Sequence, residues 1–212
     1  KTSGQYALPG TTNDTFDNIG GVQNRGLELA LDSTVSSTLS WNAAYTYLDA
    51  KFTKYDNFNL ALGNRYKAFV ADCALMVDPT IEYCLESYDN AGNVVPRTSK
   101  HTVNLAVSYV PTANWKVTGE LNSKSSYFAD EINRVEIDGH SSVNLLVNYD
   151  RKVSDSDWSF FVRIDNLLDT DYYNTARGGS GDADQDGDYD EEDISIVVNP
   201  GRTYTAGLTV TF

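Results

Sequence analysis

The stretch that decides the fold is the carboxy-terminal one, Gly201-Arg-Thr-Tyr-Thr-Ala-Gly-Leu-Thr-Val-Thr-Phe212. From Tyr204 onward every second residue is apolar, and the positions between hold only threonine or glycine. Side chains of a β-strand point alternately to its two sides, so this period of two places all the apolar residues on one face. The pattern predicts a strand with one apolar and one polar face.

Six more stretches of the chain show the same alternation. They cover residues 22–31, 40–52, 101–110, 115–127, 140–150 and 158–165. No stretch has a helical period, and residues 1–21 are rich in the glycine, threonine, asparagine and aspartate that are typical of loops. We therefore expect an all-β chain of seven antiparallel strands that follow a loop over residues 1–21.

The connections between these strands alternate in length. The short ones are residues 32–38, 111–114 and 153–157, and the long ones are residues 53–99, 128–139 and 174–201. Outer-membrane barrels show this asymmetry, because their periplasmic turns are short and their extracellular loops are long. The strands also have about the length that crosses a bilayer, which is roughly 9–11 tilted residues. The pattern predicts an antiparallel transmembrane β-barrel.

Aromatic residues gather at the ends of the strands that meet the short turns. All three tryptophans follow such turns directly, and three further aromatics end strands at the same level. Barrels carry girdles of this kind at the lipid interface, whereas a soluble β-sandwich offers no reason to place every tryptophan at one edge. The predicted interface belt comprises Trp41, Tyr109, Trp115, Tyr149, Trp158 and Phe212.

The charges of the chain restrict its environment and partners. The polar faces carry Glu28, Lys116, Glu120, Arg163 and Asp165, which predicts a water-filled lumen instead of a packed core. The formal net charge of −14 argues against a nucleic-acid partner. No Ser/His/Asp or Cys/His arrangement indicates a hydrolase, so no enzymatic activity is expected.

Several motifs occur in the order found in one known family. They are Asn24-Arg-Gly-Leu-Glu-Leu, Tyr45-Thr-Tyr-Leu-Asp-Ala-Lys-Phe, Val95-Pro-Arg-Thr-Ser-Lys-His, Asn166-Leu-Leu-Asp-Thr-Asp-Tyr-Tyr and the carboxy-terminal strand. With them the chain resembles TonB-dependent outer-membrane receptors over residues 20–212. The resemblance implies a barrel of about 22 strands around an amino-terminal plug. It also implies uptake of scarce ligands, most often ferric siderophores, with energy from a periplasmic TonB-type protein.

Seven strands cannot enclose a plugged lumen, and lipid does not tolerate open sheet edges. Residues 1–212 are therefore expected to be the carboxy-terminal portion of one barrel domain, with the plug and remaining strands supplied by an upstream fragment or chain. The odd strand count would place the break in a loop at residues 1–21.

The function expected from the resemblance is active transport of an iron chelate across the outer membrane of a Gram-negative bacterium, in contact with its lipid. A receptor for cobalamin or another nutrient, a passive porin and a calcium-dependent surface-binding protein stay open as alternatives.

One acidic segment matches a metal-binding pattern. Asp182-Ala-Asp-Gln-Asp-Gly-Asp-Tyr-Asp-Glu-Glu-Asp193 has the spacing of an EF-hand loop, with Gly187 at the sharp turn. It departs from that loop in having Asp instead of Glu at the last position, and its form is closer to that of dockerin-type calcium loops. The alternative is a solvated acidic loop. The predicted structural calcium ligands are Asp182, Asp184, Asp186 and Asp193 by side chain, Asp188 by its carbonyl, and Asp190 directly or through water.

The long connection over residues 53–99 holds the remaining candidates. Cys73 and Cys84 form a single pair in a polar segment, which predicts a disulfide and an oxidising compartment; two separate free thiols are the alternative. Cationic and aromatic side chains there could receive an anionic chelate at the barrel mouth, although for any one of them a loop that packs on itself is the favoured explanation. The candidate ligand-binding residues are Tyr55, Arg65, Tyr66 and Lys67.

Overall fold

The computed structural model describes residues 2–7, 14–55, 58–62, 84–178 and 189–212. These residues form β-strands, connecting loops and a single 3-10 turn at Glu191–Asp193. Within the described ranges, no helix has the length and apolar character needed to cross a membrane. The strands are β1 Thr2–Ala7, β2 Asp14–Thr34, β3 Leu39–Lys54, β4 Phe58–Leu62, β5 Cys84–Tyr88, β6 His101–Thr112, β7 Trp115–Lys124, β8 Tyr127–Phe128, β9 Glu136–Ile137, β10 His140–Val153, β11 Ser156–Asp165, β12 Tyr173–Gly178, β13 Ile194–Val198 and β14 Thr203–Thr211.

Eight of these strands form one antiparallel sheet in the order β1-β2-β3-β6-β7-β10-β11-β14. Tight turns at residues 35–38, 113–114 and 154–155 join its hairpins at one end of the sheet. The long connections join the hairpins at the opposite end, which we call the outer end. The prediction of an all-β antiparallel sheet with alternating short and long connections is confirmed.

The prediction of a loop over residues 1–21 is wrong, because Thr2–Ala7 is a strand that pairs with the first part of β2. The main sheet therefore contains the seven predicted strands and an eighth, β1, so the inference from an odd strand count loses its basis. The hydrophobic period did not reveal this hairpin because backbone bonds hold it, from Ala7 opposite Asp14 to Thr2 opposite Gly20. The residues of β2 before Val22 do not alternate between apolar and polar.

The apolar face of the sheet is uncovered. Leu27, Leu29 and Leu31 of β2 are 52%, 49% and 59% exposed, and Leu208 of β14 is 58% exposed. A β-sandwich would cover these side chains with a second sheet, so the soluble alternative does not fit. An apolar surface of this extent requires an apolar environment.

The long connections contain three small hairpins that their sequences did not predict. They are β4–β5, β8–β9 and β12–β13, each a two-stranded sheet of its own. Most buried apolar side chains of the described residues belong to these connections and to the outer end of β3. The dry core therefore lies at the outer end of the sheet and not along the strands.

Candidate functional site

The polar face of the sheet carries a network of charges centred on Arg163. Its Nη2 lies 3.0 Å from Oε2 of Glu120, and its Nε lies 2.7 Å from Oδ1 of Asp165. Asn144 lies on the strand between and donates to the Glu120 carboxylate at 3.4 Å. Arg163 is thus held by two carboxylates on the polar face of the sheet, and the network ties β7, β10 and β11 together.

Asn166 continues this network to the outer end of β11. Its backbone N–H donates to Oδ1 of Asn144 at 3.0 Å, and its side-chain amide makes reciprocal bonds with the backbone of Thr170. Its φ of 51° is a left-handed value that asparagine tolerates better than most residues. Asp169 accepts from the Arg202 N–H at 2.8 Å. The Asn166–Thr170 motif therefore closes the outer end of β11 and places the start of β14.

A buried cluster lies above the sheet, where we expect the extracellular side. We call it the loop core. Asp130 is only 2% exposed, and its carboxylate accepts from the N–H groups of Arg134 at 3.1 Å and Val135 at 2.7 Å. These bonds fold residues 129–135 into a compact turn between β8 and β9. The apolar members of the loop core are Tyr127, Ala129, Val135, Ile137, Ala176 and Tyr189.

Polar bonds join the three long connections across the loop core. Val94 donates its N–H to Oδ1 of Asn133 at 2.7 Å and receives the amide of Asn133 on its carbonyl at 2.9 Å. Arg97 N–H donates to the carbonyl of Phe128 at 2.8 Å. The N–H of Gly178 donates to the carbonyl of Ala129 at 2.8 Å. The loops therefore form one unit.

Gly178 is at the tightest contact of this unit. A Cβ at this position would lie 2.5 Å from the Tyr189 hydroxyl and 2.7 Å from Cβ of Asp130. Only glycine fits between the two side chains, because real Cβ atoms do not approach other atoms so closely. Tyr189 is thereby held 2% exposed at the end of the acidic segment.

Two ionisable groups beside the loop core have shifted pKa values. Burial, with a smaller contribution from the charge of Glu131, raises the pKa of Tyr55 to about 12. Burial also raises the pKa of Glu131, and Asp130 adds to this, whereas Arg97 and Arg177 oppose it. In both groups the raised pKa favours the neutral form more than water does.

The candidate ligand residues are only partly described. Tyr55 is 6% exposed, and its ring packs edge-on against Phe52 with centroids 4.9 Å apart, so it serves as a packing residue in this structure. Arg65, Tyr66 and Lys67 lie outside the described residues. The role of these four residues in ligand binding stays a prediction.

The acidic segment and the cysteines are also partly described. Asp182, Asp184, Asp186, Asp188 and Cys73 lie outside the described residues, and Cys84 begins β5. Asp193 is 5% exposed, and its Oδ2 accepts from the N–H of Asp190 at 3.0 Å. In the described ranges no three His, Cys, Asp or Glu side chains come together in a way that could hold a metal ion. The calcium site and the disulfide stay predictions.

The aromatic residues at the tight turns share one face and one end of the sheet. Trp115 lies opposite Tyr149 with ring centroids 4.7 Å apart, and Trp158 lies opposite Val210. Trp115 and Trp158 are each 42% exposed, and Tyr109 is 49% exposed. Trp41 is the third residue of β3 and Phe212 follows β14, so both lie at this end. Their role as an interface belt stays a prediction.

Sequence reasoning did not identify Asp130, Asn133, Gly178 or Tyr189. Asn133 has a φ of 58°, but its sequence neighbours give no sign of this. Asn133 and Gly178 bond to residues of another connection, Asp130 bonds within its own turn, and Tyr189 packs into the loop core. Contacts of this kind leave no regular pattern of apolar and polar residues in the sequence.

A family model described as TonB dependent receptor-like, β-barrel, matches residues 2–167. Among solved structures, the siderophore receptor PiuA from Acinetobacter baumannii is 18% identical over 98% of this chain and 24% of its own, with a TM-score of 0.66. The ferric citrate transporter FecA, in its unliganded form, is 23% identical over 99% of this chain and 27% of its own, with a TM-score of 0.62. The ferric yersiniabactin uptake receptor FyuA from Yersinia pestis is 16% identical over 92% of this chain and 24% of its own, with a TM-score of 0.60.

These likenesses show the fold of the chain. The chain spans about a quarter of the length of the solved structures it matches.

Proposed function

The chain belongs to the family of TonB-dependent receptor-like β-barrels, and from this membership we propose that it forms part of a transporter for a ferric siderophore. It is located in the outer membrane of a Gram-negative bacterium, as its family is. The apolar face of the sheet contacts lipid, and the face with Arg163 lines the lumen. The single observation that carries the proposal is this division of one uncovered sheet into an apolar and a charged face.

Iron chelate is the ligand class that the similar structures favour. The siderophore receptor, the ferric citrate transporter and the ferric yersiniabactin receptor all handle iron chelates. The predicted mouth residues Arg65 and Lys67 carry the positive charge that an anionic chelate needs. Cobalamin or another nutrient is the second candidate within this family.

The proposal requires partners for both edges of the sheet. β1 and β14 are the end strands of the sheet in the described part of the chain, so each presents an unpaired row of backbone groups. Lipid does not tolerate such edges, because nothing there satisfies the exposed N–H and C=O groups. The remaining strands and an amino-terminal plug complete the barrel, and a TonB-type protein supplies energy through the plug.

Transport assays separate the candidate functions. Cells that produce the complete protein are compared with cells that lack it and with cells that lack the TonB-type partner. Radioactive iron is offered as ferric citrate, as a hydroxamate chelate and as a catecholate chelate, and labelled cobalamin is offered in parallel. We expect uptake of one iron chelate only when both proteins are present. Cobalamin uptake would favour the nutrient receptor, and solute entry without the partner would indicate a passive porin.

We also propose that the segment Asp182–Asp193 binds calcium and orders the β12–β13 loop. Support comes from the spacing of the acidic residues and from the 3-10 turn. In this turn the backbone N–H of Asp190 donates to Oδ2 of Asp193 at 3.0 Å. Calcium prefers such clustered carboxylate oxygens, and sites of extracellular modules bind it with a Kd of about 10⁻⁴–10⁻³ M.

Calorimetry on the complete protein tests the calcium site. We expect one calcium ion per chain in the unmodified protein and none in Asp182→Ala/Asp186→Ala. The matched control is Asp155→Ala/Asp157→Ala, which also removes two aspartates but at the opposite end of the sheet. Equal binding by both double variants would contradict the assignment.

The Cys73–Cys84 disulfide is proposed on sequence grounds alone. Mass spectrometry after alkylation, with and without prior reduction, checks it. We expect that the two thiols are alkylated only after reduction.

A further inference from the structure

The outer end of the sheet contains a cleft whose described lining includes none of the candidate ligand-binding residues. The cleft has a volume of about 630 Å³ and lies between the start of β10, the chain that leads into β12, and β13. A volume of about 300–1,000 Å³ is typical of small-molecule sites. Its apolar lining residues are Ile137, Tyr172, Tyr173, Ile194, Ile196 and Val198.

The aromatic wall of the cleft is formed by Tyr172, which contacts with His140 and Asn199 hold in place. The Tyr172 ring stacks on His140 with centroids 3.9 Å apart and planes 15° apart. Asn199 fixes Tyr172 at both ends, because its amide donates to the hydroxyl at 2.8 Å and its N–H donates to the carbonyl at 3.0 Å. Beside this wall, Ile196 and Val198 remain 43% and 58% exposed. The cleft therefore offers a preformed apolar surface that a bound molecule would cover.

The charge around the cleft has one sign. Five carboxylates line it, and no lysine or arginine does so in the described part of the chain. Four of the five, all except Glu192, form no ion pair and no side-chain hydrogen bond with the described residues. Lys124 lies opposite the lining residue His140, but the five carboxylates outnumber it, so a positively charged occupant is favoured. The five are Glu136, Asp138, Asp171, Glu191 and Glu192.

The arrangement of these carboxylates distinguishes between kinds of cation. A divalent metal needs several oxygens that converge on one point. Among the described residues no three acidic, histidine or cysteine side chains converge in this way. The charge is instead spread along the rim of an apolar cleft, which suits an organic cation with a larger apolar body.

We propose that this cleft binds a small organic cation that combines an aromatic or apolar body with a protonated amine. The body covers Ile196 and Val198 and lies along the Tyr172 wall, and the amine interacts with the rim carboxylates Asp138 and Asp171. The site is independent of the transported ligand, so it would stand even if no iron chelate were taken up.

The test uses the complete protein in detergent, with dansylcadaverine as probe. This fluorescent amine carries one positive charge on an aromatic body, and dansylglycine serves as the anionic control with the same body. Fluorescence anisotropy should show saturable binding of dansylcadaverine and little binding of dansylglycine. Equal binding of both probes would overturn the proposal, and so would the absence of saturable dansylcadaverine binding.

Two variants locate the site. Asp138→Asn/Asp171→Asn keeps the side-chain shape and removes two rim charges, so we expect about three- to tenfold weaker binding. Asp155→Asn/Asp157→Asn removes the same charge at the opposite end of the sheet, and binding should be unchanged. Equal affinity of these two variants would overturn the assignment. If the rim variant fails to assemble, Ile196→Ser replaces it, and unchanged affinity in that variant would likewise overturn the assignment.

Discussion

The sheet and the loop core differ in how far their apolar side chains are buried within the protein. In the sheet, large apolar residues such as Leu27, Leu31 and Leu208 are about half exposed, and charged residues gather on the other face. In the loop core, Ala176 and Tyr189 are almost completely buried and polar bonds join the loops around them. The sheet relies on lipid to cover its apolar side, whereas the loops carry a core like that of a small soluble protein. An added charge should therefore be costly on the apolar face of the sheet, whereas in the loop core the loss of a buried polar partner should be costly.

The largest effect is expected from a charge on the lipid side of the sheet. Leu105 lies between Ala43 and Leu121 on the apolar face, and Leu105→Arg should cost about 2–4 kcal/mol of folding free energy. The measurement is urea unfolding of the complete protein in lipid vesicles. The adjacent Ala106→Arg lies opposite Glu120 on the polar face and should cost much less. Similar losses in the two variants would contradict the assignment of the faces.

The next effect is a local one in the loop core. Asp130→Ala leaves the buried N–H groups of Arg134 and Val135 without acceptors, which costs about 1–3 kcal/mol. We expect faster amide hydrogen exchange at residues 127–137 and unchanged exchange in the sheet strands. Tyr127→Phe is the matched control, since the buried Tyr127 hydroxyl has no hydrogen bond within the described residues. Protection that survives in Asp130→Ala would mean that other contacts hold this turn.

A smaller effect is expected on the polar face. Glu120→Gln removes one carboxylate from Arg163, whose Asp165 partner remains. Partly exposed ion pairs contribute about 0.2–1 kcal/mol, and salt screens them. The stability difference between Glu120→Gln and the unmodified protein should shrink in high salt. A difference that does not depend on salt would show that packing, and not charge, connects these strands.

The smallest effect concerns the pH dependence of the loop core. Burial raises the pKa of Glu131 above its ordinary value of 4.5, so the folded state binds a proton more readily than the unfolded chain. Its contribution to stability is therefore full below pH 4.5 and is lost as the pH rises through the folded-state pKa. Glu131→Gln should slightly stabilise the loop core at neutral pH and flatten this decline. Loss of stability at neutral pH in Glu131→Gln would instead show that Arg97 or Arg177 pairs with the carboxylate.

The sheet could be predicted well because the alternation of apolar and polar residues within each strand shows which of its faces is apolar. In β14 the period of two is visible in nine residues without knowledge of any neighbour. The alternating lengths of the connections predicted that the tight turns lie together at one end of the sheet. The hairpin of β1 with the start of β2 escaped prediction because its residues do not alternate between apolar and polar.

The loop core was unpredictable for a related reason. Its contacts join residues such as Val94 and Asn133, which lie 39 positions apart and whose bonds depend on the path of both loops. The acidic spacing of Asp182–Asp193 could be recognised as a motif, but the burial of Tyr189 beside Gly178 could not. Long-range packing leaves no periodic trace in the chain.

The bonds between Val94 and Asn133, and between Gly178 and Ala129, have an evolutionary consequence. In a barrel with separate loops, each loop could drift in length and composition without affecting the others. Here a change in one connection alters the fit of the other two, so lineages that adapt to a new ligand must acquire substitutions in several connections together. Recombination that exchanges all three connections as a block should preserve folding better than the exchange of any one of them.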